Sequence, residues 1–358
     1  MRMPGSRTIK KILNKLNLKQ EIPGLRIINK VLNDLNQHGI MLMYHRVTQL
    51  NIDPWELCVS PQHFEEHMKI IKKFGDPVQM QQMGRTVHSW HFGRKKIVLT
   101  FDDGYEDNFL NAKPIMERYG IPATFFIVTG MIDSHEEYWW DELDRIILTS
   151  PKLPDQFKMT INKNDYYWPL KPGIPAEILN YAKFAYSIPE NGSEMVYGQL
   201  YYVLWNILSH LSFEEKKAVL QAIARWAGQT TAARTSHKVM SKKELLDLAG
   251  VSLFEIGAHT QHHPMLSYLT IEEQRQEIEE SKNSLEKILG CPIQSFSYPH
   301  GAFTDETVEL VRKLGFVASC RGAKKQISRE HDPMLLPRFM VYDWDGNVFE
   351  QKLSEWLK

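Results

Sequence analysis

Short apolar runs alternate with stretches in which apolar residues recur every three or four positions. The alternation appears twice, once in each half of the chain. Ile40–Val47 (IMLMYHRV) reads as a buried strand that ends in a polar His-Arg pair. Ser60-Pro61 opens a helix, since serine caps a helix start and proline is pre-shaped for its first turn; Phe64, Met68 and Ile71 then share one face. Lys96–Phe101 (KIVLTF) is a second buried strand. Asn111–Tyr119 is a helix stopped by Gly120, and Ala123–Val128 is a third strand. The later half repeats the rhythm: strand Leu253–Ile256, helix Ile271–Leu289 stopped by Gly290, strand Gln294–Tyr298, helix Asp305–Leu314, strand Phe316–Ser319. Strand–helix alternation of this kind predicts a parallel α/β sheet or barrel, with active groups where the strands end.

The segment from His135 to Ala249 has another character. It is rich in aromatics (Tyr138, Trp139, Trp140, Tyr166, Tyr167, Trp168, Trp205, Trp226), holds a Pro/Gly-rich patch at Lys171–Pro175, and shows helical periodicity over Gly198–Arg225. It reads as an inserted, mostly helical cap whose aromatics serve either as core or as a sugar-stacking surface. The first residues form a basic stretch in which Ile12, Leu13, Leu16 and Leu18 lie near one helical face, suited to a short packed helix or to peripheral membrane contact.

Lysine plus arginine and aspartate plus glutamate both number 43 in 358 residues, so no global basic field exists to draw in nucleic acid. Charged residues at 24% and hydrophobic residues at 43% are those of an ordinary globular chain. Cys58, Cys291 and Cys320 form no CxxC pair, and no run approaches the roughly 18 apolar residues of a membrane span. With no signal-type apolar core after the basic start, the expected location is cytoplasmic, with membrane association as an option. Oligomeric state is not legible.

Two clusters carry chemistry. In Thr100-Phe101-Asp102-Asp103-Gly104-Tyr105, two carboxylates end a buried strand and a glycine turns the backbone. One carboxylate can bind a divalent cation while the other stays free as a base. In Glu255-Ile256-Gly257-Ala258-His259-Thr260-Gln261-His262-His263-Pro264, His259 and His263 stand four apart, a spacing that aims two imidazoles at one ion. His262 is left outside the ligand set, and Thr260 is expected to hold the loop. One Asp and two His leave positions for water and substrate, the ligand count of a catalytic metal site; zinc suits it, and cobalt, nickel or iron also fit.

TFDDGYEDN together with HTQHHP resembles the first two motifs of the polysaccharide deacetylase family (carbohydrate esterase family 4, the NodB homology domain). SYPHG (Ser297–Gly301) resembles the third motif, MLMYHRV and SPQHFEEHMKIIKKFG an N-terminal block of one branch, and LLPRFMV (Leu335–Val341) the closing strand. The resemblance implies a distorted (β/α) barrel that removes N- or O-acetyl groups from an amino sugar or glycan. Together with the composition along the chain, it gives an expected division into a helical extension (1–39), a first barrel part (40–134), the insertion (135–249) and a second barrel part (250–358). It implies Asp103, His259 and His263 as metal ligands and Asp102 as the base. Oxyanion or substrate contacts are implied near Tyr105 and at His300, through backbone N–H groups.

Two departures bear on this. The third motif of the family carries an Arg two residues before its Pro, where this chain has Ser297; Arg338 is the candidate to orient the base instead. The family's C-terminal Leu-x-His, source of the general acid, has no counterpart, and His45 on the first strand is the candidate acid, with His331 a weaker one. Two competing readings are a hydrolase of small non-sugar amides on the same barrel and a glycan-binding protein without turnover.

Overall fold

The computed structural model describes residues 37–88, 95–170, 193–230 and 232–357. The expected N-terminal helix and the patch Lys171–Pro175 lie outside them. Seven parallel strands follow one another in chain order: β1 (Gln37–Tyr44), β2 (Lys96–Phe101), β3 (Ala123–Ile127), β4 (Phe254–Ala258), β5 (Ser295–Ser297), β6 (Ala318–Gly322) and β7 (Leu336–Met340). β1 closes the ring by pairing with β2 on one side, Tyr44 opposite Phe101, and with β7 on the other, Leu42 opposite Phe339. The fold is thus a (β/α) barrel. Asp76–Pro77 extends it beside β2, and Ile327–Ser328 runs antiparallel beside β1.

Strand alternation sorts the side chains. Ile97, Leu99 and Phe101 face the shell of helices, while Val98 joins Met41, Phe126, Cys320 and Leu336 inside the ring. With both faces buried, the strands read as near-continuous apolar runs. A short helix absent from the sequence reading, α2 (Met80–Thr86), closes the end where strands begin: Met80 and Met83 enter the interior cluster, and a Cβ on Gly84 would come 2.5 Å from Cβ of Ala318. That leaves the carboxyl ends of the strands for chemistry.

The surrounding helices follow their local signals. α1 (Pro61–Phe74) is capped by Ser60, which accepts from the His63 amide, and buries Phe64, Met68 and Ile71. α3 (Lys113–Tyr119) is entered through a π-helical turn, Asn108–Ala112, and ends at Gly120 with φ +59°. α8 (Ile271–Leu289) has a Thr270–Glu273 capping box, and α9 (Asp305–Lys313) is capped by Thr304. α10 (Gly346–Trp356), unforeseen, packs against α1. One predicted strand divides: Ile40–Val47 becomes β1 and a two-residue strand Arg46–Val47, interrupted at His45.

Between β3 and β4 lie α4 (Trp139–Ile147), α5 (Ser193–Ser209), α6 (Phe213–Ala227) and α7 (Lys242–Ala249). The inserted segment also holds an antiparallel hairpin, Gln156–Ile161 with Asn164–Pro169, which the helical expectation passed over. Its period-two burial (Phe157 and Ile161 in, Gln156 and Lys158 out) is the signal that was available. Leu143, Phe157, Tyr201, Leu204 and Ile223 form a core of their own, whereas Leu245 and Leu248 of α7 belong to the barrel's. Among the described residues no helix is long and apolar enough to cross a membrane.

Candidate functional site

β2 delivers Asp102 and Asp103 at its carboxyl end, and the chain then reverses through two left-handed residues, Asp103 (φ +73°) and Gly104 (φ +74°). At Gly104 a Cβ would also press to 3.0 Å on Ile127, so glycine suits the turn twice over. β4 delivers His259, and the loop after it is left-handed at Thr260 (φ +65°) and His263 (φ +56°). His300, after β5, is left-handed as well (φ +55°). Four non-glycine residues in a costly conformation gather on the loops at one end of the barrel, where strain accompanies function. Thr260 has its expected part: its Oγ1 accepts from the His263 amide at 3.0 Å.

These turns bring three side chains to one point. His263 Nε2 lies 3.3 Å and His259 Nε2 3.5 Å from Asp103 Oδ1, and the two Nε2 atoms are 3.2 Å apart. Metal–ligand bonds of about 2.0–2.2 Å at tetrahedral angles place donors roughly 3.3 Å from one another, so the triangle fits a divalent cation. All three residues are buried, and Asp103 Oδ1 has no hydrogen-bond partner. A buried carboxylate oxygen left without a donor calls for a cation. Burial, reinforced by the neighbouring imidazoles, holds His263 well below the usual histidine range and keeps it in the neutral, ligating form. His259 is oriented through Nδ1, 2.8 Å from the Ser297 carbonyl oxygen, an outer partner the sequence could not name. His262 turns away to Glu277 at 2.7 Å.

Asp102 lies beside the triangle, Oδ2 4.0 Å from His259 Nε2. Arg338, on β7 and buried, reaches across the barrel interior and donates from Nη1 to Oδ1 and from Nη2 to Oδ2, both at 2.7 Å. The same guanidinium donates to Thr100 Oγ1 at 3.0 Å and Ser297 Oγ at 2.9 Å. The small Ser297 thus makes room for an arginine arriving from another strand. Burial alone would raise the Asp102 pKa, but Arg338 and His259 outweigh it and hold the carboxyl well below its usual range.

His45 interrupts the first strand, half-buried, with Nδ1 buried and unpartnered; Asp102 and His263 both feel its charge. Its place is held by residues of TFDDGYEDN that sequence reasoning did not single out. Asp107 accepts from Arg46 Nε at 2.9 Å and from the Val47 amide at 2.8 Å, while Asn108 donates to the His45 carbonyl oxygen at 2.8 Å. His331, by contrast, bonds locally with Ser328 at 2.9 Å.

The insertion encloses this centre. Tyr138 donates to the Asp103 carbonyl oxygen, Tyr105 donates to Asp141 at 2.8 Å, and Trp140 Nε1 donates to the Tyr105 hydroxyl at 3.0 Å. Tyr105 is fully buried, so its side chain serves the cap, and the Gly104 amide is committed to the Asp102 carbonyl oxygen at 3.0 Å. Trp140 lies 4.9 Å from the His263 ring, and Trp205 5.7 Å from the His300 ring. The aromatics therefore divide: Phe157 and Tyr201 are core, and Trp139, Trp140 and Trp205 form a wall over the site.

A deacetylase-type barrel with an Asp-His-His centre is the class that fold and site define. A sequence profile described as polysaccharide deacetylase matches residues 91–157 and 201–319, over half the chain, and the protein belongs to that family. The deacetylase-type protein YxkH of Bacillus subtilis (strain 168) is 32% identical over 106 residues, 28% of this chain and 36% of that protein. The poly-beta-1,6-N-acetyl-D-glucosamine N-deacetylase of Staphylococcus aureus (strain MSSA476) is 28% identical over 106 residues, 26% of this chain and 37% of the enzyme. The match thus spans about a third of the length of these relatives. The fold is shared with the deacetylase PplD of Streptococcus pyogenes (TM-score 0.55, 16% identity, 90% of this chain and 99% of that one). It is shared too with IcaB of Ammonifex degensii (TM-score 0.54, 16% identity, 90% and 97%).

Proposed function

We propose that this protein is a metal-dependent hydrolase that removes acetyl groups from an amino sugar or glycan. The observation that carries the reading is the Asp103–His259–His263 triangle, with its orphaned carboxylate oxygen, set beside an Asp102 held ionised by Arg338. Asp103, His259 and His263 would hold the ion, zinc by ligand preference, with cobalt, nickel or iron as alternatives. When bound, such an ion acidifies water and polarises a carbonyl.

The chain's own groups do the rest. Asp102 accepts the proton of the attacking water. Arg338 fixes both its oxygens and keeps the carboxylate charged, at the cost of lowering its basicity. His45, at the end of β1, protonates the leaving nitrogen or oxygen; Asn108 anchors its backbone, and Asp107 that of Val47. With the Gly104 amide committed, the backbone N–H groups of Tyr105 and His300 are the donors we retain for the oxyanion. The aromatic wall excludes water and offers faces suited to sugar C–H groups. Location in the cytoplasm, with peripheral membrane contact, is proposed on the sequence alone; cell fractionation that finds the protein mainly outside would overturn it.

Acetate release from an acetylated amino-sugar oligomer, before and after chelation, tests the reaction. We expect Asp102→Asn to retain the metal and lose release by about a thousandfold or more. Formate or ammonia from small amides, with no acetate from any glycan, would favour the amide-hydrolase alternative. Metal binding with no turnover of either class would favour the glycan-binding one.

A further inference from the structure

The insertion places a lysine over the metal-centre loops that none of the catalytic roles above uses. Phe213, in the first turn of α6, packs on His262 of the second motif with ring centres 4.6 Å apart. Lys216 follows one turn later on the same side of the helix and is only 5% exposed. Its ammonium lies 5.2 Å from the ring centre of Trp139, and its charge is felt at His263 and His300. The carboxylate nearest in influence, Glu277, is already occupied by the amides of Gln261 and His262 and by the His262 ring. A cation–π contact offsets part of the cost of burying an ammonium but accepts none of its hydrogen bonds.

A second donor stands beside it without an acceptor. Trp139 Nε1 is buried and makes no hydrogen bond. Trp139 itself packs edge-on to Trp140 at 5.6 Å, and Trp140 lies against the ligand His263. The unmatched indole donor thus sits one aromatic ring, Trp140, away from His263, and the Lys216 ammonium lies against Trp139 in turn. A buried donor without an acceptor is retained where a ligand supplies one.

We infer that Lys216 and Trp139 Nε1 form a subsite for an anionic substituent, a carboxylate or a phosphate, carried by the acetylated sugar. This deepens the deacetylase reading and rests on it for the acetamido partner. The lysine, pulled by burial to about 8, keeps its charge at neutral pH. A neutral sugar hydroxyl would satisfy the indole N–H but would leave the largely desolvated lysine without a counter-charge, and that selects the anion.

Calorimetric binding of three probes to the full, metal-loaded chain tests the subsite: N-acetylglucosamine, its 1-phosphate, and its 3-O-lactyl ether, which carries a carboxylate. The charged sugars are expected to bind at least tenfold more tightly than the neutral one, and the one that gains more identifies the anion. Lys216→Gln should bring all three within about twofold, Lys216→Arg should keep the preference, and Trp139→Phe, which retains the ring, should lose about threefold of it. Equal affinities in the parent chain, or a preference undiminished in Lys216→Gln, would overturn the inference. Acetate release measured on the same three sugars separates the two claims. Release without charge preference removes the subsite and leaves the reaction; charge preference without release from any of them or from the acetylated oligomer removes the reaction and leaves the subsite.

Discussion

Arg338 shows how much a single side chain decides here. It is fully enclosed, and its charge is matched by Asp102 through two parallel bonds. Removing one partner of such a pair leaves the other charged and buried, which costs about 3–5 kcal/mol. Arg338→Met should therefore destabilise the protein by that amount in urea unfolding and abolish acetate release. Arg338→Lys keeps the charge but not the fork, and should recover part of the stability and less of the activity. A fully stable, active Arg338→Met protein would mean that another group orients Asp102.

Among elements, β4 bears directly on the site, because it leads straight into His259. A Cβ on Gly257 would meet the Phe126 ring at 2.6 Å and the Ser295 carbonyl oxygen at 2.9 Å. Gly257→Ala should cost about 1–3 kcal/mol and weaken metal binding by shifting the strand end; unchanged melting temperature and metal affinity would contradict the packing described. The contact of α1 with α10 carries a pH dependence. His67 is buried, stacks on Phe349 at 3.9 Å, and bonds the Trp344 carbonyl oxygen at 2.7 Å. Burial lowers its pKa from the ordinary value to about 4. A histidine depressed in the folded state takes up its proton more readily when unfolded. Its contribution is complete above about pH 6.5 and is lost as pH falls toward 4, up to on the order of 3 kcal/mol. The stability difference between pH 7.5 and pH 4.5 should shrink by about that amount in His67→Gln, measured by denaturant unfolding.

At the scale of the molecule, the insertion and the barrel share one site. Tyr138 bonds the backbone of Asp103, and Tyr105 bonds Asp141, so closing the cap and shaping the ligand turn are one event. Outer partners of metal ligands commonly matter ten- to a hundredfold in affinity. Tyr138→Phe should weaken metal binding by about tenfold in chelator competition while leaving the barrel folded. If affinity is unchanged, the cap covers the site without shaping it.

The strand Lys96–Phe101, the helix Ile271–Leu289 and the His259–His263 pair were legible in the sequence. Burial on both strand faces, capping residues and donor spacing are local properties, written within a few residues of one another. His45 was legible as a strand-end histidine, but the Asp107 and Asn108 bonds that hold it were not. Trp139 read only as part of an aromatic-rich stretch, and Lys216 as one charge on a helix. That Arg338 spans the barrel to Asp102, that the short α2 plugs the strand starts, and that α6 sets a lysine against Trp139 were decided by tertiary structure. Ring closure fixes which distant strand ends meet, and no local period of apolar and polar residues encodes that distance.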